Sequence, residues 1–186
     1  MNKMLWVVLI VLIVLFVPLA GMAESKGPLK VVPAVDLRRY AGRWYEIARL
    51  PNRFQKKCAG DVVADYTLQP DGKIQVLNRC RLQNGDSTQA EGLARLVGRG
   101  QPNSILKVRF APKFLSFLPQ VWGDYQILAL SPEYSHAVVG DPSRRYLWIL
   151  ARTPNLDEVT YNRLVEEARG QGFDTSLLEK TRQSLP

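Results

Sequence analysis

The sequence predicts an all-β fold: an eight-stranded antiparallel up-and-down β-barrel with a C-terminal α-helix packed outside. Three observations predict it. Between residues 42 and 152, apolar and polar side chains alternate in eight short runs, and a period of two marks half-buried strands. Turn formers such as Pro70-Asp71-Gly72 and Asn84-Gly85-Asp86 separate the runs, and such short links make neighbouring strands antiparallel. After Pro154 the apolar spacing changes to three and four, the stripe of a helix that packs on one face. A meander of eight strands can close on itself and so remove its exposed edges.

The elements run in order along the chain. The first strand covers 43–49, and a loop holding Pro51, Asn52 and Gly60 leads to the second, 61–68. The third (73–81) and fourth (88–97) turn about Asn84-Gly85, and the fifth covers 104–110. A longer loop precedes the sixth (121–130), which Ser131-Pro132-Glu133 turns into the seventh (134–139). Gly140-Asp141-Pro142-Ser143 leads to the eighth, 145–152. Leu156, Val159, Leu164, Val165 and Ala168 make the helix stripe, with Asn155 and Glu158 as a capping pair and Gly170 and Gly172 as the stop. A shorter helix is expected to begin at Asp174.

Domain organisation comes from the chain's ends. The 186 residues suit one domain. Residues 1–23 carry one charge, Lys3, then an apolar run over 5–17, Pro18, and small residues at Gly21 and Ala23. That is the pattern of a secretory signal peptide cut after Ala23, with an uncleaved N-terminal anchor as the alternative. Residues 24–34 read as a linker and 35–186 as the folded domain. The net charge is +8, and removing Lys3 with the leader leaves +7. A cationic exported protein suits anionic membrane surfaces or ligands, and export argues against nucleic acid.

The residues offer little catalytic chemistry. There is no nucleophile motif, phosphate loop or paired-carboxylate arrangement. His136, the sole histidine, falls on the outer face beneath the helix, so no metal and no cofactor is expected. Cys58 and Cys80 meet at one end of the second and third strands, and in an exported protein two such thiols read as a disulfide. Simple pairing about Pro70-Asp71-Gly72 sets Cys58 opposite about residue 84, so a bulge or a loop bend must supply the difference. The alternative is a reactive thiol at the barrel entrance.

Gly42-Arg43-Trp44-Tyr45-Glu46, Ser131-Pro132-Glu133-Tyr134 and Arg152 resemble the three signature regions of lipocalins. Pro51-Asn52-Arg53-Phe54 and the stretch 146–154 narrow the resemblance to the bacterial outer-membrane and apolipoprotein D-like branch, over about 35–178. It implies structural roles for Gly42, Trp44, Tyr134 and Arg152, the guanidinium closing one barrel end over the indole. Ser131 departs from the family's frequent Asp, so the turn there is expected to bond differently. The resemblance implies a carrier of a fatty acid or lysophospholipid in envelope lipid storage, transport or maintenance, not an enzyme. It also implies a monomer or weak dimer at the periplasm or outer membrane of a Gram-negative bacterium. Two alternatives stand beside it: a lipid- or isoprenoid-modifying enzyme using Cys58 or Glu46, and a tetrapyrrole or pigment carrier.

Strand parity gives the candidate lining of the barrel. Glu46 and Ala48 share a face with Trp44; Val62, Ala64 and Tyr66 come next, then Val76 and Asn78. Val108, Phe110, Tyr125, Ile127, Tyr146 and Trp148 complete the set. Small residues recur on this face and leave volume, and an eight-stranded barrel is wide enough for one small ligand. A solid core is the competing reading. The mouth is assigned to the loops 50–60, 82–87, 111–120 and 140–144. They carry Arg53, Lys56 and Lys57, then Lys113, Phe114, Leu115, Phe117 and Leu118. Apolar groups ringed by cations suit peripheral contact with an anionic membrane, or else the aromatics fold over as a cap.

Overall fold

The computed structural model describes residues 27–98 and 100–184. The proposed signal or anchor over 1–23 lies outside the described residues, as do the first residues of the linker.

A four-residue helix α1 (Leu37–Tyr40) precedes β1 (Gly42–Arg49), β2 (Cys58–Leu68), β3 (Ile74–Leu82) and β4 (Ser87–Leu96). Next come β5 (Ile105–Arg109), β6 (Gly123–Leu130), β7 (His136–Gly140) and β8 (Leu147–Ala151). Helix α2 (Glu158–Gly170) and the two-residue strand β9 (Glu179–Lys180) end the chain of elements. Each of β2 to β7 pairs antiparallel with the next, β8 pairs with β1, and β1 pairs with β2, which closes the barrel. The expected eight-stranded barrel with an outer helix is the fold observed.

The interior divides into two cores. Trp44, Leu106, Ile127, Ala137 and Val139 fill the barrel near α1. Leu128, Val138, Leu147 and Ile149 point outward and pack under Tyr161, Leu164 and Ala168 of α2. The helix cap is Asp157, whose carboxylate accepts from Thr160 N, rather than the expected Asn155 pair. Val159, expected in the apolar stripe, stands 82% exposed, and Tyr161 takes its place against the barrel. Asp174 does cap a short helical turn, Thr175–Leu177.

Bulges in β1 and β6 break the simple alternation. One lies between Glu46 and Ala48, the other between Ile127 and Ala129. An extra residue in one strand moves every later side chain of that strand to the opposite face. Ala48, expected to line the barrel, therefore packs in the core beneath α2, as does Ala129. Register shifts between Cys58 and Gly60 and between Gly60 and Val63 place Cys58 opposite Leu82 rather than residue 84, two residues nearer to Cys80.

At the mouth, β1 and β2 separate: their pairing runs only from Gly42↔Tyr66 to Tyr45↔Val63. The C-terminal tail occupies the gap. β9 pairs with Ala48 and Arg49, Thr181 N donates to Ile47 O, and Asp61 N donates to Arg182 O. Gln183 Nε2 donates to the carbonyls of both Glu46 and Val62, 2.8 and 3.0 Å away. The approach is close enough that a Cβ at Gly60 would lie 2.6 Å from Arg182 O.

Candidate functional site

The closed end is a clasp centred on Arg152. Its guanidinium lies 3.9 Å over the Trp44 ring and donates to the carbonyls of Arg43, Arg39, Tyr40, Ala41 and Tyr134. Trp44 Nε1 donates to Tyr40 O at 2.8 Å, so α1 is fastened across the barrel floor. Tyr134, at φ 61°, accepts from Asp36 N through its hydroxyl and carries Arg39 over its ring at 4.0 Å. The Ser131 hydroxyl accepts from Ser135 N and His136 N and so caps the turn between β6 and β7.

On the inner face, Trp44, Ile127, Ala137 and Val139 are fully buried, whereas Ala64, Asn78, Val108, Tyr125 and Trp148 keep part of their surface accessible. Phe110 is 44% exposed and lies over Gly92, where a Cβ would come within 2.8 Å of its ring. Val76 and Tyr66 are buried in the same interior. The polar points include three tyrosines: Tyr125 Oη lies 2.7 Å from Tyr40 Oη and 3.1 Å from Tyr66 Oη. Burial raises the pKa of all three, that of Tyr66 to about 12, so they remain neutral hydroxyls. Tyr146 stacks on Trp148 at 6.1 Å and meets Phe54 at 5.6 Å, an aromatic shelf from the mouth loop to the interior.

Glu46 does not belong to this lining. It is 2% exposed, and its carboxylate accepts from Arg49 at 2.9 Å, from Thr181 Oγ1 at 2.5 Å and from Gln55 Nε2. Gln55 Oε1 accepts in turn from Trp148 Nε1, so one carboxylate ties β1, the tail, the mouth loop and the aromatic shelf together. Val62 is buried with its carbonyl held by Gln183. Tyr40, Gln55, Thr181 and Gln183 escaped sequence reasoning. Tyr40 stands just ahead of a recognised motif, and the others carry no periodic signal.

At the mouth, Phe54, Phe114 and Phe117 are 65%, 74% and 76% exposed and do not fold over the barrel as a cap. Leu115 and Leu118 are half-buried behind them. The loop is pinned to the outer wall instead, where Trp122 lies under Arg95 at 4.0 Å and donates to Ser116 O. Arg53, Lys56, Lys57, Lys113 and Arg145 are exposed and form no ion pair among the described residues. Arg144 is engaged with the carbonyls of Gln171, Pro142 and Gly27. Cys58 and Cys80 form a disulfide beside this mouth, which removes the reactive-thiol alternative. His136 lies on the outer face as expected, between Ser135 Oγ and Arg163 of α2.

Comparison with known proteins agrees with this geometry. Residues 35–183 match the family model of a lipocalin-like domain. Temperature-induced lipocalin-1 of Arabidopsis thaliana is 48% identical over 164 residues, 88% of this chain and 87% of the plant protein. Outer membrane lipoprotein Blc of Vibrio cholerae is 38% identical over 160 residues, covering 85% and 86%. The crystal structure of apocrustacyanin C1 superposes with a TM-score of 0.64 at 18% identity, over 81% of each chain, a likeness of fold alone. A clasp of Arg152 on Trp44 beneath an eight-stranded barrel, with relatives this similar along most of its length, places the chain in the lipocalin family.

Proposed function

We propose that this protein is a carrier, not a catalyst, that holds the acyl chain of a fatty acid or lysophospholipid in the mouth half of its barrel. The observation that carries the reading is the partly accessible inner face at Ala64, Val108 and Trp148, together with exposed cations and exposed phenylalanines on the loops at the mouth. Burying a methylene is worth about 0.8 kcal/mol, so a chain of about 14 carbons supplies about 11 kcal/mol gross. Association costs at least about 4 kcal/mol of that, which leaves micromolar binding within reach. Arg53, Lys56, Lys57, Lys113 and Arg145 suit an anionic headgroup left at the mouth and an anionic bilayer facing it.

Export supports the same reading. Residues 1–23 have the pattern of a secretory signal, and Blc is by name an outer membrane lipoprotein. The plant relative carries no such word in its name, so periplasmic or outer-membrane placement, and with it envelope lipid transport or maintenance, rests on the leader and the bacterial relatives. We take the working form to be a monomer or weak dimer. Native mass spectrometry of protein purified from membranes should show co-purified lipid, and palmitate should quench Trp148 fluorescence. An empty barrel with no quenching refutes the carrier reading. For membrane contact, Phe114→Ser with Phe117→Ser should abolish sedimentation with phosphatidylglycerol vesicles while leaving palmitate binding intact.

A further inference from the structure

The barrel interior holds hydrogen-bonding capacity that the protein does not use. Tyr40, Tyr125 and Tyr66 own three hydroxyl protons between them but form only two hydrogen bonds among the described residues, both through Tyr125. However those protons are arranged, one O–H has no acceptor in the triad. Asn78 faces the same interior, paired across the strands with Ala64 and Ala90, two residues mouthward of Val76, the partner of Tyr66. Such diagonal neighbours on one face have Cα atoms roughly 7–8 Å apart. The Asn78 amide forms no hydrogen bond among the described residues, and its Oδ1 is buried. Tyr125 and Asn78 both keep accessible surface; the Asn78 Oδ1 itself is covered, and a turn of the amide about its last side-chain torsion would bring it to the open side.

We infer that Tyr66, Tyr125 and Asn78 form a polar subsite at the inner end of the cavity that takes a hydroxyl group on the leading end of a hydrophobic ligand. A hydroxyl is matched on both counts, since it accepts from the spare tyrosine proton and donates to Asn78 Oδ1. A methyl terminus would seal both groups away from water unpaired, which costs free energy. An ionised carboxylate is the poorer occupant. Arg152, the cation beneath the triad, is committed to five backbone carbonyls, so the charge would be buried without a free partner. The favoured ligand class is thus an ω-hydroxylated fatty acid or a comparable long-chain alcohol, its charged end kept at the cationic mouth. This rests on the carrier reading above.

The test compares ω-hydroxypalmitate with palmitate, and the shorter ω-hydroxylaurate with laurate, by calorimetry on the purified full chain. The hydroxylated member of the pair whose length reaches the floor should bind about 3- to 10-fold tighter, the worth of one net hydrogen bond. Tyr66→Phe with Tyr125→Phe, which removes both hydroxyls of the subsite, should bring that ratio to about one. Asn78→Val should do the same, so either variant serves if the other fails to fold. Equal or weaker binding of the hydroxylated acid in both pairs, with the plain acids bound, overturns the subsite and leaves the carrier reading standing. A preference that survives both substitutions also overturns it. Failure of every acid to bind overturns both readings.

Discussion

Removing the Glu46 carboxylate should unfasten the C-terminal tail before it affects any ligand. In Glu46→Ala, Arg49 loses its partner at 2.9 Å, Thr181 its acceptor at 2.5 Å, and Gln55 the anchor that holds it beneath Trp148. The Arg49 side chain is 13% exposed and its Nε already lacks a partner, so little solvent is available to replace the carboxylate. Breaking a buried ion pair costs about 3–5 kcal/mol. Glu179, 3.5 Å from Arg49 and 55% exposed, recovers part of it, which puts the expected loss near 3 kcal/mol. For a domain of this size that lowers Tm by about 6–12 °C. Glu46→Gln keeps the shape but turns an amide NH₂ toward donors, so it should cost about 1–2 kcal/mol. Urea unfolding followed by circular dichroism gives the stability, and hydrogen exchange over 179–184 reports the tail. A Glu46→Ala protein within about 1 kcal/mol of the parent, with tail exchange unchanged, refutes the network. Lost ligand affinity at full stability would return Glu46 to the cavity.

Three further perturbations have defined outcomes. Cys58→Ser with Cys80→Ser opens a loop spanning 22 residues, worth about 3.4 kcal/mol in the chain-entropy account, so an unchanged urea midpoint would contradict it. Arg152→Lys cannot reach five carbonyls with three protons and loses the planar stack on Trp44; it should cost about 2–3 kcal/mol and flatten the near-ultraviolet signal of that indole. A loss below about 0.5 kcal/mol would show that the clasp contributes little. Burial, with the Arg163 guanidinium beside it, holds the His136 imidazole below its ordinary pKa. Between that depressed value and about 6.5 the unfolded chain binds a proton that the folded one does not, so stability should fall as pH falls through this window. His136→Gln should remove that slope, and an equal slope in both proteins refutes the assignment.

How much of the molecule was legible in the sequence depends on how local each signal is. Alternation and turn chemistry act over two to five residues, and they located all eight strands of the barrel. The Arg152–Trp44 clasp was legible only through its motifs, since 108 residues separate the pair in the chain. Bulges defeat parity because one extra residue reverses everything beyond it, and nothing in Glu46-Ile47-Ala48 or Ile127-Leu128-Ala129 marks an insertion. Ala48 was misplaced for that reason, and Glu46 for a different one. Parity places a side chain on a face but says nothing of what else has come to occupy it. The occupant is the tail, and its hold on the barrel is almost wholly polar: Thr181, Gln183 and Ser184 bond to Ile47, Glu46, Val62 and Asp61. Burial raises the pKa of Asp61, but the hydrogen bonds from Ser184 and Arg81 outweigh it and hold the carboxyl at about 2. A segment with no apolar stripe emits no period for a reader to find. It is nonetheless fixed, because β1 and β2 diverge above Tyr45 and leave backbone donors and acceptors that a buried wall cannot leave unpaired. The strand that completes the mouth is therefore specified by the bonds its neighbours lack, and those become visible only once the barrel has closed.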